Sequence, residues 1–114
     1  MVTTEDHPLG RPANEALPNL FEFLAGYFHE DWYLDYKSPD KALAAAITES
    51  SSSDLEDVRR ELNWLLEQRL YEAELERVFD ELGANYWTYG DGLSPRIWLH
   101  QVRREVWKAG RGLA

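Results

Sequence analysis

The sequence predicts an all-α protein, a single compact bundle of about five helices. Apolar residues recur three and four positions apart in successive stretches, which is the spacing of helices with one buried face. Serine caps precede several of these stretches and glycines follow two of them, while no pair of alternating runs indicates a β-hairpin. With 114 residues, of which 44% are hydrophobic, the chain suffices for one core but not for two.

Residues 1–16 are predicted to form a flexible N-terminal arm, because they contain prolines and a glycine without apolar periodicity. Residues 17–114 are then the helical domain. The polar connector at residues 49–52 is too short to divide this domain further.

The first helix is predicted to run from Pro18–Asn19 to about Trp32. Its apolar residues fall on one face: Leu20, Phe23, Leu24, Tyr27 and Phe28. A second, alanine-rich helix is predicted from Ser38 to about Thr48, because a serine cap is followed by Pro39 in the first turn.

A capping box, Ser53 with Glu56, predicts the start of the third helix. Two apolar stripes follow, formed by Leu55, Val58, Leu62, Leu65 and Leu66, then by Tyr71, Leu75, Val78, Phe79 and Leu82. At about 100° per residue the second stripe is rotated by roughly a third of a turn from the first. One straight helix cannot bury both, so we expect a break at Arg69–Glu72 and a fourth helix that Gly83 ends.

Residues 85–92 are predicted to form a loop whose aromatic side chains lie over the core. Ser94 and Pro95 repeat the serine–proline start signal. The last helix buries Trp98, Leu99, Val102 and Val106 and ends at Gly110.

The net charge of −9 is unevenly distributed. Residues 1–94 carry 7 basic and 20 acidic side chains, whereas residues 95–114 carry five basic and one acidic. A field this negative repels nucleic-acid phosphates and attracts basic partners, although surplus acid also serves solubility. There is no cysteine, no signal-peptide pattern and no apolar run of membrane-spanning length, so we expect a cytoplasmic protein with no membrane partner.

An enzyme is the first alternative, with His29, Glu30 and Asp31 as a metal or hydrolytic site. Residues two apart on a helix point in different directions, so His29 and Asp31 do not share a ligand sphere. The chain lacks an HExxH pair and a glycine-rich phosphate loop. We expect no catalytic residue, metal or cofactor, and we expect Asp31 to lie in the apolar stripe with its carboxylate hydrogen-bonded.

Trp64 is the most suggestive surface residue, because it lies half a turn from the leucine stripe, near Glu61 and Glu67. A tryptophan among acids is typical of a binding anchor. The alternative is that another helix or the arm covers it as a second core layer. The predicted contact residues are Asp57, Glu61, Trp64 and Glu67 on this face, and Tyr86, Trp87, Tyr89 and Asp91 in the loop.

Trp107 lies among His100, Arg103 and Arg104, and its ring can stack with the two arginines in cation–π contacts. Nucleic-acid binding by this helix is therefore an alternative of another class. The strongly acidic remainder of the chain weighs against it, so we expect no direct nucleic-acid partner.

The segment Tyr27-Phe28-His29-Glu30-Asp31-Trp32 resembles the YFHxDW signature of immunity proteins from bacterial contact-dependent growth inhibition systems. Leu82-Gly83, the aromatic loop and the segment from Gly92 to Leu99 are also similar to the C-terminal part of that family. The similarity runs from about Leu20 to Val106 in the same element order.

This resemblance implies an all-α cytoplasmic protein that binds and neutralises the C-terminal toxin domain of an effector. Such toxins are often nucleases that cut transfer RNA, so a basic nuclease domain is the expected partner. The family motif is expected to be structural, and its residues here are Tyr27, Phe28, His29, Asp31, Trp32 and Trp98. We expect a monomer, and the alternative function is a general acidic interaction module unrelated to toxins.

Overall fold

The computed structural model describes residues 7–110, and these residues form α-helices without any β-strand. The all-α prediction is therefore confirmed. Five helices have ten or more residues and two are shorter. In chain order they are α1 (Ala13–Ala16), α2 (Pro18–Tyr27), α3 (Trp32–Tyr36), α4 (Pro39–Glu49), α5 (Ser52–Glu67), α6 (Glu72–Glu81) and α7 (Pro95–Gly110), with a short 3₁₀ helix at Thr88–Asp91 before α7.

The two longest helices, α5 and α7, pack along each other. Helix α2 packs against α4 and α5, and α6 packs against α7. Leu24, Leu62 and Leu99, from α2, α5 and α7, are fully buried in the shared core. An aromatic cluster of Phe28, Trp32, Phe79, Tyr86 and Trp98 completes that core, with centroid distances of 5.1 Å for Phe28–Trp98 and 5.2 Å for Tyr86–Trp98.

The first long helix ends earlier than the sequence predicts. Helix α2 stops at Tyr27, and α3 starts separately at Trp32, so the predicted continuous helix to Trp32 is wrong. Phe28 leaves the helical conformation, with φ −114° and ψ 39°. Its ring is fully buried, and its carbonyl oxygen accepts hydrogen bonds from Asn85, 2.8 Å from the backbone N and 3.2 Å from Nδ2. These tertiary contacts replace the helical bond that this carbonyl would otherwise accept.

The capping box of α5 lies two residues before the predicted one. Ser51 Oγ accepts from the backbone N of Asp54 at 3.0 Å, and Asp54 Oδ2 accepts from Ser51 N at 3.3 Å. The predicted box of Ser53 and Glu56 is therefore wrong, although both pairs have the same spacing. The reason is that α4 extends to Glu49, so the two capping serines Ser50 and Ser51 form the entire connector.

The predicted break between the two apolar stripes is confirmed. Helix α5 ends at Glu67 and α6 begins at Glu72, with Arg69 between them in a left-handed conformation (φ 52°). Gly83 follows α6 with φ 74°, as expected for a glycine that ends a helix.

Residues 7–16 pack against α6, although the sequence predicts them as part of a flexible arm. The ring of His7 is buried, and its Nε2 lies 2.6 Å from Glu81 Oε1. The same oxygen accepts from the backbone N of Ala13 at 2.9 Å. Residues 1–6 of the predicted arm and residues 111–114 of the predicted domain lie outside the described residues.

Candidate functional site

The motif residues connect α2, α3 and the loop after α6. The Trp32 indole Nε1 donates to the Asn85 carbonyl oxygen at 2.6 Å, and the Tyr27 hydroxyl donates to Glu49 Oε1 at 2.8 Å. Burial and the Glu49 carboxylate raise the pKa of Tyr27 to about 12. His29 Nε2 lies 3.1 Å from Asp35 Oδ2 across the turn. The Trp32 hydrogen bond and the buried rings of Phe28 and Trp98, which pack against Tyr86, position the loop at residues 85–92 against the helices, whereas the other two contacts join α2 to α4 and to α3.

Asp31 does not have the predicted buried, hydrogen-bonded carboxylate. Asp31 is exposed, and its side chain makes no capping bond at the start of α3. Its backbone N–H instead donates to His29 Nδ1 at 3.2 Å. The prediction is wrong because it projected Asp31 onto a continuous helix, whereas α2 ends at Tyr27.

The carboxylates around Trp64 are less available to a partner than the sequence indicates, because two of them already bind other residues of the protein. Trp64 is 41% exposed, in a cleft that Leu9 and Arg11 also line. The Glu61 carboxylate accepts from Leu20 N at 2.8 Å and from Asn19 Nδ2 at 2.6 Å, so it caps the start of α2.

The other two predicted carboxylates of this face differ from Glu61. Asp57 forms an ion pair with Arg60, with Oδ1 2.5 Å from Nη2. Glu67 is exposed at the end of α5. Two of the three carboxylates predicted to contact a partner on this face are thus already engaged within the protein.

The loop after α6 presents a second face. Trp87 is 74% exposed, and Tyr89 is also exposed and donates its hydroxyl to Glu76. Tyr86 is only 8% exposed and donates to Asp91 Oδ2 at 2.6 Å, so its ring belongs to the core and not to the surface. Burial and this hydrogen bond raise the pKa of Tyr86.

Two carboxylates of α6 complete this face, and neither is among the contact residues predicted from the sequence. Glu76 and Asp80 are exposed on α6 and line a pocket of about 220 Å³ together with Trp87, Thr88 and Tyr89. In the sequence, the spacing of four residues outside the apolar stripe of α6 indicates that Glu76 and Asp80 are neighbours on one side of the helix. We call this group of five residues the aromatic–acidic pocket.

A basic cleft lies between α5 and α7. It is lined by Arg59, Asn63, His100, Arg103, Arg104 and Trp107. Arg103 Nη2 lies 3.1 Å from His100 Nδ1. Burial, followed by the charges of Arg103 and Arg96, lowers the pKa of His100 below its ordinary value. Two of the five basic residues of the C-terminal segment, Arg103 and Arg104, line this cleft.

Within residues 7–110, no group of three or more histidine, aspartate or glutamate side chains is arranged to hold a metal ion. Across the same described part of the chain, no helix combines the length and the apolar character needed to cross a membrane.

Comparison with known proteins gives one family and one fold. The model of the CdiI immunity protein family matches residues 16–106. A chain in the crystal structure of a CdiA-CT/CdiI complex from Y. kristensenii 33638 is similar in fold, with a TM-score of 0.76. The two chains are 24% identical, and the match covers 82% of this chain and 95% of that one. No curated protein matches this chain.

Proposed function

The chain belongs to the CdiI immunity protein family, and from this premise we propose that it binds and neutralises the toxin domain of a contact-dependent growth inhibition effector. Neutralisation is by binding and not by catalysis. The occurrence of a similar fold in a CdiA-CT/CdiI complex supports a protein partner. We further propose that the protein acts in the cytoplasm as a monomer.

The observation that carries this proposal is the combination of an exposed tryptophan with carboxylates around it. Trp87 is the most exposed tryptophan of the described chain, and Glu76 and Asp80 lie beside it. Tryptophan is enriched among the few interface residues that contribute most of the binding free energy. Complementary charge around such an anchor accelerates encounter and selects the partner.

The expected partner is a basic nuclease domain. A nuclease needs a positive groove to hold the phosphate backbone, and a protein with a net charge of −9 presents carboxylates that can occupy that groove. We place the contact on the face of Trp87 in preference to that of Trp64, because Glu61 and Asp57 are already engaged near Trp64.

A binding and protection experiment tests this function. The toxin domain encoded immediately upstream would be expressed in cells with or without this protein, and the two purified proteins would be mixed for binding kinetics. We expect protection and a tight complex. Absence of binding by the wild-type protein would reject the proposal and favour a general acidic interaction module.

Two matched variants locate the interface. Trp87→Ala should weaken binding by about 30-fold or more, as expected for an interface hot spot. Trp64→Ala removes the same side chain from the other face and should weaken binding less than about 3-fold. The reverse order would place the interface on the Trp64 face.

Incubation of the purified protein with RNA and phosphoesters should show no hydrolysis.

A further inference from the structure

The aromatic–acidic pocket has the size of a single side chain. Its volume of about 220 Å³ lies below the roughly 300–1,000 Å³ of pockets that take drug-sized ligands. Helix α6 contributes Glu76 and Asp80 on one side, and the loop contributes Trp87, Thr88 and Tyr89 on the other. The pocket is therefore placed where a partner's side chain can enter between a helix and an exposed indole ring.

The carboxylates of the pocket are not neutralised by neighbouring cations within residues 7–110. Asp80 has no ion pair there, and Glu76 accepts only the Tyr89 hydroxyl. The nearest arginine in sequence, Arg77, pairs with Glu81, with 3.5 Å between Nε and Oε2. The hydrogen bond to Glu76, followed by desolvation and by the charges of Glu76 and Glu72, raises the pKa of Tyr89. The pocket thus has a negative potential that favours a cation.

One residue that lines the pocket, Thr88, has a buried hydroxyl without a hydrogen-bond partner. Thr88 is 2% exposed, and across the described chain its Oγ1 is the one buried side-chain oxygen or nitrogen without a hydrogen-bond partner. A buried polar group left without a partner destabilises the protein that contains it. The oxygen is closed to solvent in this structure, so a donor from a ligand in the pocket would remove this cost only after a small shift of the loop that opens the oxygen to the pocket.

The position of the Trp87 ring is set by the loop itself. A Cβ atom built on Gly90 would lie 3.0 Å from Trp87 Cε3, so the indole lies directly against the glycine backbone. The face of an indole attracts cations, and among cations the planar guanidinium also stacks on it and carries five donors. The ammonium group of lysine has the same charge, but it is not planar and does not present several donors in a fixed arrangement.

We propose that the aromatic–acidic pocket takes one arginine side chain of the toxin domain. The guanidinium stacks on Trp87, pairs with Asp80 and Glu76, and has a further donor for Thr88 Oγ1. This inference rests on the proposed function, and it adds the chemistry by which that function selects its partner. Because the arginine would come from a groove that holds RNA phosphates, the pocket would withdraw a substrate-binding group.

Three variants of this protein test the pocket by binding kinetics with the upstream toxin domain. Asp80→Asn should weaken binding by about 10-fold, mainly through faster dissociation, because the guanidinium loses a charged partner. Glu22→Gln, which removes one exposed charge on α2, is the matched control and should change affinity by less than about 2-fold.

Thr88→Val separates binding from folding. Valine has the same shape without the hydroxyl, so the variant should unfold at the same or a higher temperature. It should nevertheless bind the toxin domain about 5-fold more weakly, because one hydrogen bond to the guanidinium is lost. A merely structural role for Thr88 would lower both stability and binding.

Variants of the toxin domain test which of its arginines enters the pocket. Each arginine of the toxin domain would be changed to lysine, and one of these variants should lose affinity for the wild-type protein but little further affinity for Asp80→Asn. If wild type binds and Asp80→Asn and Thr88→Val bind equally well, the pocket inference is overturned while the proposed function stands. If wild type does not bind, both are overturned.

Discussion

Trp32 joins the family motif to the loop after α6 through a single hydrogen bond. Its indole Nε1 donates to the Asn85 carbonyl oxygen at 2.6 Å. Trp32→Phe keeps an aromatic ring next to Phe28 but removes this donor. We expect the free energy of unfolding in urea to fall by about 1 kcal/mol, because one hydrogen bond between α3 and the loop is lost.

The matched control for this prediction is Asp31→Ala. Asp31 is adjacent in the motif but exposed, so its replacement should change the free energy of unfolding by no more than about 0.5 kcal/mol. Equal losses in the two variants would contradict the assignment of Trp32, and not Asp31, as the anchoring residue.

Glu81 is the residue through which the N-terminal segment is held to α6. Burial acts to raise its pKa, but hydrogen bonds from Ala13 N and His7 and the charge of Arg77 outweigh it and lower the pKa. A lowered folded-state pKa means that Glu81 stabilises the protein above its unfolded pKa. This contribution is lost as the pH falls through the folded-state value, below 4.5.

Glu81→Gln should therefore lower the free energy of unfolding at pH 7 by about 1 kcal/mol. The difference from wild type should persist as denaturation is repeated from pH 7 down to about 5, and it should shrink only as the pH falls below 4.5. Glu22→Gln, an exposed carboxylate change on α2, serves as the control and should track wild type. A difference that stays constant with pH would contradict the charged interaction.

At the scale of elements, Gly83 sets where α6 ends and how closely α2 approaches it. Its φ is 74°, and a Cβ atom there would lie 2.9 Å from Ala25 Cβ. Gly83→Ala would strain the backbone and clash with α2 at the same time. We expect a loss of about 2 kcal/mol or more in the free energy of unfolding.

Gly26 offers the opposite case within α2. Nothing lies within 4 Å of a Cβ atom built there, and alanine is the better helix former by about 1 kcal/mol. Gly26→Ala should therefore be neutral or stabilising in the same urea experiment. If both glycine variants were destabilising to the same extent, the close approach at Gly83 would not be the cause.

At the scale of the whole molecule, the charge distribution determines how the protein meets its partner. In residues 1–94, the 20 acidic side chains outnumber the 7 basic side chains by almost three to one. The association rate with a basic toxin domain should fall several-fold between low and physiological ionic strength, as measured by stopped-flow fluorescence. The dissociation rate should change much less, since it depends on the contacts of Trp87. A salt-independent association rate would contradict electrostatic steering.

The local signals in the sequence determined most of the fold. Apolar spacing predicted the all-α class, and the phase change between two stripes predicted the break at Arg69–Glu72, because both depend only on neighbouring residues. Gly83 was assigned correctly for the same reason, since a left-handed residue after a helix favours glycine. The YFHxDW segment of the family motif, residues 27–32, was likewise recognisable from the sequence because its six residues are consecutive.

Only the tertiary structure decided which side chains are free to act. Glu61 is withdrawn from the surface by Asn19, 42 positions away, and α2 ends where the Phe28 carbonyl meets Asn85, 57 positions away. The candidate site combines carboxylates of α6 with a loop whose Tyr86 turns inward and whose Trp87 turns outward. Periodicity within one helix cannot report such contacts, because they depend on which distant segments the packed core brings together.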